Sequence, residues 1–360
     1  MSIDTAVPHT ARPLEVSARR SLPHAVAALV PGAALAAAIA VAASLLGTLA
    51  PVIGAPVMAI VIGIVVATLR PPARRARPGL TFVAKRVLQA SIVVLGLGLS
   101  LGQVLVAGAA SLPVLLGTLL AALAAAWAVG RLLGLPRDLT TLIGVGTAIC
   151  GASAIAATDA VIGAEEADVS YAVATIFTFN VVAVLAYPTL GHLLGLSQHA
   201  FGLWSGTAIN DLSSVVAAST IYGHAAAGYG VVVKLTRTLA IIPIALGLAA
   251  LRRRRGPAVP PGAAPASSRF SLARVLPLFI LGFLAAVVAN TLGLVPSGFH
   301  HGLSDSATWM ITAALAAIGL STRPGEIRRA GLRPLALGAV LWATVGSVSL
   351  ALQFATGTLR

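Results

Sequence analysis

The sequence predicts an all-α polytopic membrane protein, and three observations carry that reading. Of the 360 residues, 58% are hydrophobic and 9% charged, with a mean hydropathy of +0.96, a balance foreign to soluble domains of this size. The apolar runs are long and continuous, close to the ~20 residues a bilayer requires, and not the short alternating segments of a barrel. The basic residues gather in alternate connections between those runs.

Residues 1–25 are polar, carry Arg12, Arg19 and Arg20, and read as a cytoplasmic tail. The apolar run that follows is too long for the core of a cleaved signal. Eleven helices are expected over 26–46, 52–69, 86–107, 112–133, 140–164, 169–193, 200–220, 229–251, 272–294, 304–322 and 332–356. The first two are separated by the Gly and Pro residues around Pro51; the second ends at the basic stretch Arg70–Arg86. Residues 108–111 separate the third from the fourth, and Gly134 and Pro136 lie between the fourth and the fifth. Glu165, Glu166 and Asp168 separate the fifth from the sixth, and Gly195 and Ser197 precede the seventh. The eighth ends at Arg252–Arg255, and the Pro/Ala/Ser-rich stretch 256–268 reads as a disordered cytoplasmic loop before the ninth. Gly293 and Pro296 precede the tenth, and Arg323–Arg333 the eleventh.

With the N-terminus in the cytoplasm and strict alternation, 21 of the 24 Lys and Arg fall inside. Outside lies Arg360, while Lys234 and Arg237 stay within a helix. This positive-inside pattern puts the C-terminus outside and the acidic cluster 165–168 there too. It also accounts for the net charge of +14 through loops that face anionic lipid headgroups, without nucleic acid. One Cys rules out an intrachain disulfide. Eleven helices also divide into one extra helix and two five-helix repeats, about 52–193 and 200–356. An odd-numbered repeat inserts its second copy upside down, a frequent transporter architecture.

The fifth helix is the stretch around which the chain is organised. Gly144, Gly146 and Gly151 weaken it as a helix by roughly 1 kcal/mol each relative to alanine, and Thr147, Ser153 and Thr158 can satisfy freed backbone groups. A broken segment at membrane depth survives where it lines a polar cavity or is buried in protein. The plainer alternative is a continuous helix whose small residues allow close packing. If the repeats correspond, the tenth helix, with Gly319 and Ser321, is the second interrupted one.

Charges inside the membrane cost on the order of 2.5–3.5 kcal/mol each at a helix centre. Asp159, Asp211, Lys234 and Arg237 stand out, two of each sign. Lys234 and Arg237, three residues apart, share one helix face. They either snorkel to headgroups or meet an anion beside a half-helix end. In the seventh helix Thr207, Asn210, Asp211 and Ser214 form a polar stripe at helical spacing, suited to a cavity or to interhelical hydrogen bonds. Asn180 and Asn290 read as packing polars.

Gly144-x-Gly146-x-Ala148-Ile149-Cys150-Gly151-Ala152-Ser153-Ala154, the Gly206-Thr207 segment, Lys234-x-x-Arg237 and Ala317-Ile318-Gly319-Leu320-Ser321-Thr322 together resemble the YeiH family of proposed sulfate exporters. The resemblance runs from about Pro31 onward, and Ile-Cys-Gly-Ala is its most specific element. In that family the seventh helix carries a His-Glu pair with a Gln three residues after the Glu. Asn210-Asp211 and Ser214 stand here, so the acid is kept and the imidazole lost. The family is similar to the sodium/bile-acid symporter and cation/proton antiporter group, whose two crossed, interrupted helices the resemblance implies here as helices five and ten.

The expected function is secondary transport of a small inorganic or sulfonated, sulfate-like anion across the cytoplasmic membrane. The substrate is expected near Thr147, Cys150, Gly151, Ser153, Asn210, Lys234, Arg237, Gly319 and Ser321. Asp159 and Asp211 are expected to couple H⁺ or Na⁺. A cation/proton antiporter and an uncoupled channel are the alternatives. No His-Glu-x-x-His and no Walker loop is present, and no enzyme, metal or cofactor is implied. Membrane lipids are partners, and self-association is left open.

Overall fold

The computed structural model describes residues 27–49, 55–254, 278–322 and 331–359. The predicted tail 1–25 and loop 256–268 lie outside them. The described residues are helical with no strand, and seven helices are long and apolar enough to cross a membrane. The all-α polytopic fold class is therefore observed.

Two bundles make up the molecule. The first contains α1 (Val30–Leu49), α2 (Ala55–Leu69), α3 (Arg74–Gly96, with a wide π-turn at Val83–Val87), α12 (Leu278–Thr291) and α13 (His300–Ser321). The second contains α4 (Leu101–Leu132), α5 (Arg137–Ala148), α6 (Ala152–Ile162), α7 (Glu166–Leu193), α8 (Gln198–Ala208), α9 (Leu212–Tyr222), α10 (His224–Thr238), α11 (Ile241–Arg254) and α14 (Leu332–Ala355). They meet along Ala107, Val184, Val216, Ala217, Val231 and Val232 of the second bundle.

The boundary expected between 107 and 112 is corrected. The third helix ends at Gly96, and α4 starts at Leu101 with Pro113 inside it. The start signal is a capping box: Ser100 Oγ accepts from Gln103 N at 3.3 Å, and Gln103 Oε1 accepts from Ser100 N at 2.9 Å. Such a box satisfies two otherwise orphaned N–H groups.

The fifth and seventh predicted spans are not spans. Each is a hairpin of two half-helices of 11 or 12 residues. At 1.5 Å per residue each leg is about 16–18 Å long, roughly half the hydrocarbon thickness. In the second hairpin the Phe201 and Tyr222 rings stack at 3.8 Å, and Ser205 Oγ lies 2.7 Å from Ser219 Oγ. Tyr222 Oη donates to the Leu196 carbonyl, and Gln198 Oε1 accepts from Ala225 N at 2.9 Å. Both ends of the hairpin thus lie together and Asn210 sits at its tip. In the first hairpin Leu139, Leu142 and Ile143 share a core cluster with Ile155 and Ile162, and Gly146 abuts Ile155.

The 28-residue α7 runs between the hairpins. Asp138 of α5 lies within electrostatic reach of Asp168 at the start of α7. The His192 ring at its other end stacks on Tyr222 at 4.3 Å. The hairpins therefore enter from opposite ends of the molecule, and α10 returns alongside the second as α7 does alongside the first.

This arrangement is a duplication. Gly146-Thr147-Ala148-Ile149 recurs as Gly206-Thr207-Ala208-Ile209, 60 residues on, followed at the same offset by Ser153 and Ser213, Ala157 and Ala217, Gly163 and Gly223. The breaks in the two helix pairs fall at that offset too. The expected partner of the fifth helix was the tenth. That assignment is corrected, because α13 is continuous from His300 to Ser321.

Gly319 belongs to a helix crossing. A Cβ there would lie 2.5 Å from the Ile60 carbonyl oxygen and 3.0 Å from Gly63 Cα. Gly319→Val is expected to lower the thermal midpoint in detergent, consistent with an overpacking cost of about 1–3 kcal/mol. The exposed Ser321→Ala should stay within about 0.5 kcal/mol of the parent. Equal midpoints for both variants would contradict this close crossing.

Candidate functional site

The tips of the two hairpins meet. Ile149 leaves the helix at φ −122° and ψ −89°, and Gly151 follows at φ 69° and ψ −131°. Only glycine adopts that backbone cheaply. It also fits the space: a Cβ on Gly151 would lie 3.4 Å from Asp211 Cβ and 3.3 Å from Ile176 Cγ2. On the other tip Ile209 is extended, and Asp211 caps α9 by accepting from Ser214 N through Oδ2 at 3.2 Å. The predicted polar stripe of a continuous seventh helix is thereby corrected: Asn210 and Asp211 lie in the break, and Ser214 in the first turn beyond it.

Two cations of α10 join the breaks. Lys234 Nζ donates to the Ile149 carbonyl at 2.8 Å and to the Ile209 carbonyl at 2.7 Å. Arg237 donates from Nε to the Ala148 carbonyl at 2.6 Å and from Nη2 to the Thr147 carbonyl at 2.7 Å. Both side chains are fully buried, so neither snorkels. The acceptors are carbonyls that a helix C-terminus leaves without intrahelical donors. The cations also face the negative ends of both half-helices.

Several polar atoms here keep unused capacity. Among the described residues, Arg237 Nη1, Asn210 Oδ1 and Asp211 Oδ1 are buried without a hydrogen-bond partner. Asp211 lies within electrostatic reach of Lys234. Cys150 is a free, buried thiol, and Thr147 is buried beside it in sequence. Among the described residues, Ser153 is exposed, and Ala152, Asp211, Ser213 and Ser214 are half-buried.

The electrostatics follow from helix ends worth about half an elementary charge each. The Lys234 and Arg237 side chains and the N-terminal ends of α6 and α9 meet the C-terminal ends of α5 and α8 and the Asp211 carboxyl group at the junction. N–H groups at helix starts of this kind suit an anion.

The structure brings Thr147, Cys150, Gly151, Ser153, Asn210, Asp211, Lys234 and Arg237 to this junction. It does not bring the others. Asp159 lies toward the far end of α6, where its Oδ1 accepts from Ala164 N at 3.0 Å. Gly319 sits at the α2–α13 crossing, and Ser321 Oγ donates to the Ala317 carbonyl at 2.8 Å. Sequence reasoning missed Ser213, the counterpart of Ser153, and the carbonyls of Ala148, Ile149 and Ile209. The second Gly-Thr-Ala-Ile was the signal that marked them.

Lys234→Met is expected to leave the Ile149 and Ile209 carbonyls buried without their donor, at about 1–3 kcal/mol for each orphaned acceptor. Its thermal midpoint in detergent should fall well below that of Cys150→Ser. A midpoint equal to the parent's would show that the ammonium does not hold the tips.

The family model described as "Conserved hypothetical protein 698" matches residues 31–338. A UPF0324 membrane protein of Streptococcus pyogenes serotype M18 is 40% identical over 335 residues, covering 91% of this chain and 97% of the relative. One from Streptococcus agalactiae serotype V is 39% identical over 337 residues, covering 91% and 98%. One from Fusobacterium nucleatum is 37% identical over 328 residues, covering 86% and 92%. The near full-length match on both sides makes this chain a member of the UPF0324 family of membrane proteins, the family that includes YeiH.

Proposed function

We propose that this membrane protein is a secondary active transporter of a small, sulfate-like oxyanion, inorganic or sulfonated, coupled to H⁺ or Na⁺. The observation that carries the reading is the junction itself: two half-depth hairpins from opposite ends, meeting tip to tip beside two buried cations. Re-entrant backbone at the midplane places half-helix ends where a substrate can be held from either side. The N–H groups at the starts of α6 and α9 suit oxyanion oxygens, and Arg237 Nη1 remains free to donate to one. Asp211 is the coupling residue in this reading, because one carboxylate oxygen caps α9 and the other is unused. Asp159 has no part in coupling.

The protein resides in the cytoplasmic membrane with its N-terminus inside and its C-terminus outside. Taking both hairpins as re-entrant leaves nine crossings, the seven long helices with α2 and α12. This keeps all the basic loops inside and moves Glu165, Glu166 and Asp168 inside with them. The chain acts as a carrier, not an enzyme.

A second reading has one specific observation in its favour. The unpartnered Asn210 Oδ1 and Asp211 Oδ1 are hard oxygen ligands, which suit a cation in exchange for protons.

Labelled sulfate uptake into proteoliposomes, with and without an imposed pH or Na⁺ gradient, tests both. Gradient-stimulated uptake should be lost in Asp211→Asn and unchanged in Asp159→Asn. Cation-driven proton movement without any oxyanion flux would replace the anion reading with the antiporter.

A further inference from the structure

The duplication carries one step further. Equivalent positions of its two copies have different surroundings. On α9, Val216 and Ala217 are fully buried, and Ser213 and Thr220 are half-buried. This face touches α2 and α13 of the other bundle. The counterparts on α6 are Ser153, Ala156, Ala157 and Ala160. Ser153, Ala156 and Ala160 are exposed and Ala157 half-buried. α6 packs instead on α5, α7 and α11 of its own bundle.

The rest of the seam shows the same asymmetry. Ala107 of α4, Val184 of α7, Val216 and Ala217 of α9, and Val231 of α10 lie in the half of their bundle that holds the second hairpin. The clusters around the first hairpin contain residues of its own bundle. Among the described residues, the buried apolar contact between the two bundles lies at the end that holds the second hairpin. The hairpins are an inverted duplication, so the α9 face that packs on the other bundle has a counterpart face on α6.

We infer that this structure is the inward-facing state, and that in the outward-facing state the α6 face of Ser153, Ala156, Ala157 and Ala160 takes the place now held by the α9 face against α2 and α13. Small side chains let α6 approach the other bundle closely. Two packings of one seam give a bistable element, which alternating access requires. The inference rests on the proposed orientation, but not on the identity of the substrate.

The test uses the full chain in membrane vesicles of both orientations, in a Cys150→Ser background, with a membrane-impermeant maleimide. Ala160→Cys should label from the cytoplasmic side and Ala217→Cys slowly from the outside. Labelling of Ala160→Cys from the outside alone would refute the orientation. Val216→Trp wedges this contact apart. It should lower labelling at Ala160→Cys by about tenfold or more, as expected when a two-state population passes from mostly one form to mostly the other. Ala156→Trp, on the exposed face and so harmless to this packing, should lower labelling at Ala217→Cys by a similar factor. That variant keeps the test decisive if Val216→Trp fails to fold. Absence of labelling at Ala217→Cys, or labelling unmoved by the folded wedge variants, overturns the exchange. Reciprocal labelling together with absence of sulfate flux in the parent chain, with Cys150 in place, would remove the substrate and leave the exchange standing.

Discussion

Four hydrogen bonds from two side chains hold the centre of this protein together. Lys234 and Arg237 donate into the last carbonyls of α5 and α8. A helix that stops halfway through a bilayer leaves such groups without partners, and no water is there to replace them. The two cations would be as costly without acceptors as the carbonyls without donors. Each solves the other's problem, and the half-helices can end at the midplane only because α10 places the cations beside both breaks.

From that constraint the remaining features follow. Chains that stop at half depth must turn back, so the legs are short and each hairpin returns to its own side. The tips then face one another across Gly151 and Asp211, where Gly151 holds a positive φ that favours glycine. The other ends of the same half-helix pairs point N–H groups at the junction. The duplication supplies two such hairpins of opposite sense, and the described residues around them differ, the second packing on the other bundle and the first on its own.

Much of the site was legible without coordinates, and the reasons are local. Gly144, Gly146 and Gly151 mark a weak helix wherever they lie. Lys234 and Arg237 in an apolar run are too costly to be incidental. Asn210 and Asp211 stood out for the same reason. The mistaken elements were those where a local signal had two meanings. The break placed at 108–111 lies inside α4, because the apolar run there continues a helix begun at the Ser100 cap. Gly319 and Ser321 look like a second break and are a close crossing with Gly63. Asp159 accepts a backbone hydrogen bond at the end of α6, away from the junction.

The sequence by itself determined the class, the basic loops, and the residues too expensive to be there by chance, because hydropathy, charge and glycine content act through the nearest few residues. It also contained the duplication, in two copies of Gly-Thr-Ala-Ile. Only the tertiary structure decided that the fifth and seventh apolar stretches turn back instead of crossing. A hairpin of two half-helices and one full helix have nearly the same length and composition. What separates them is whether a buried donor from elsewhere in the chain reaches the carbonyls at the break, and that is settled by packing, through Lys234 and Arg237, far away in sequence and adjacent in space.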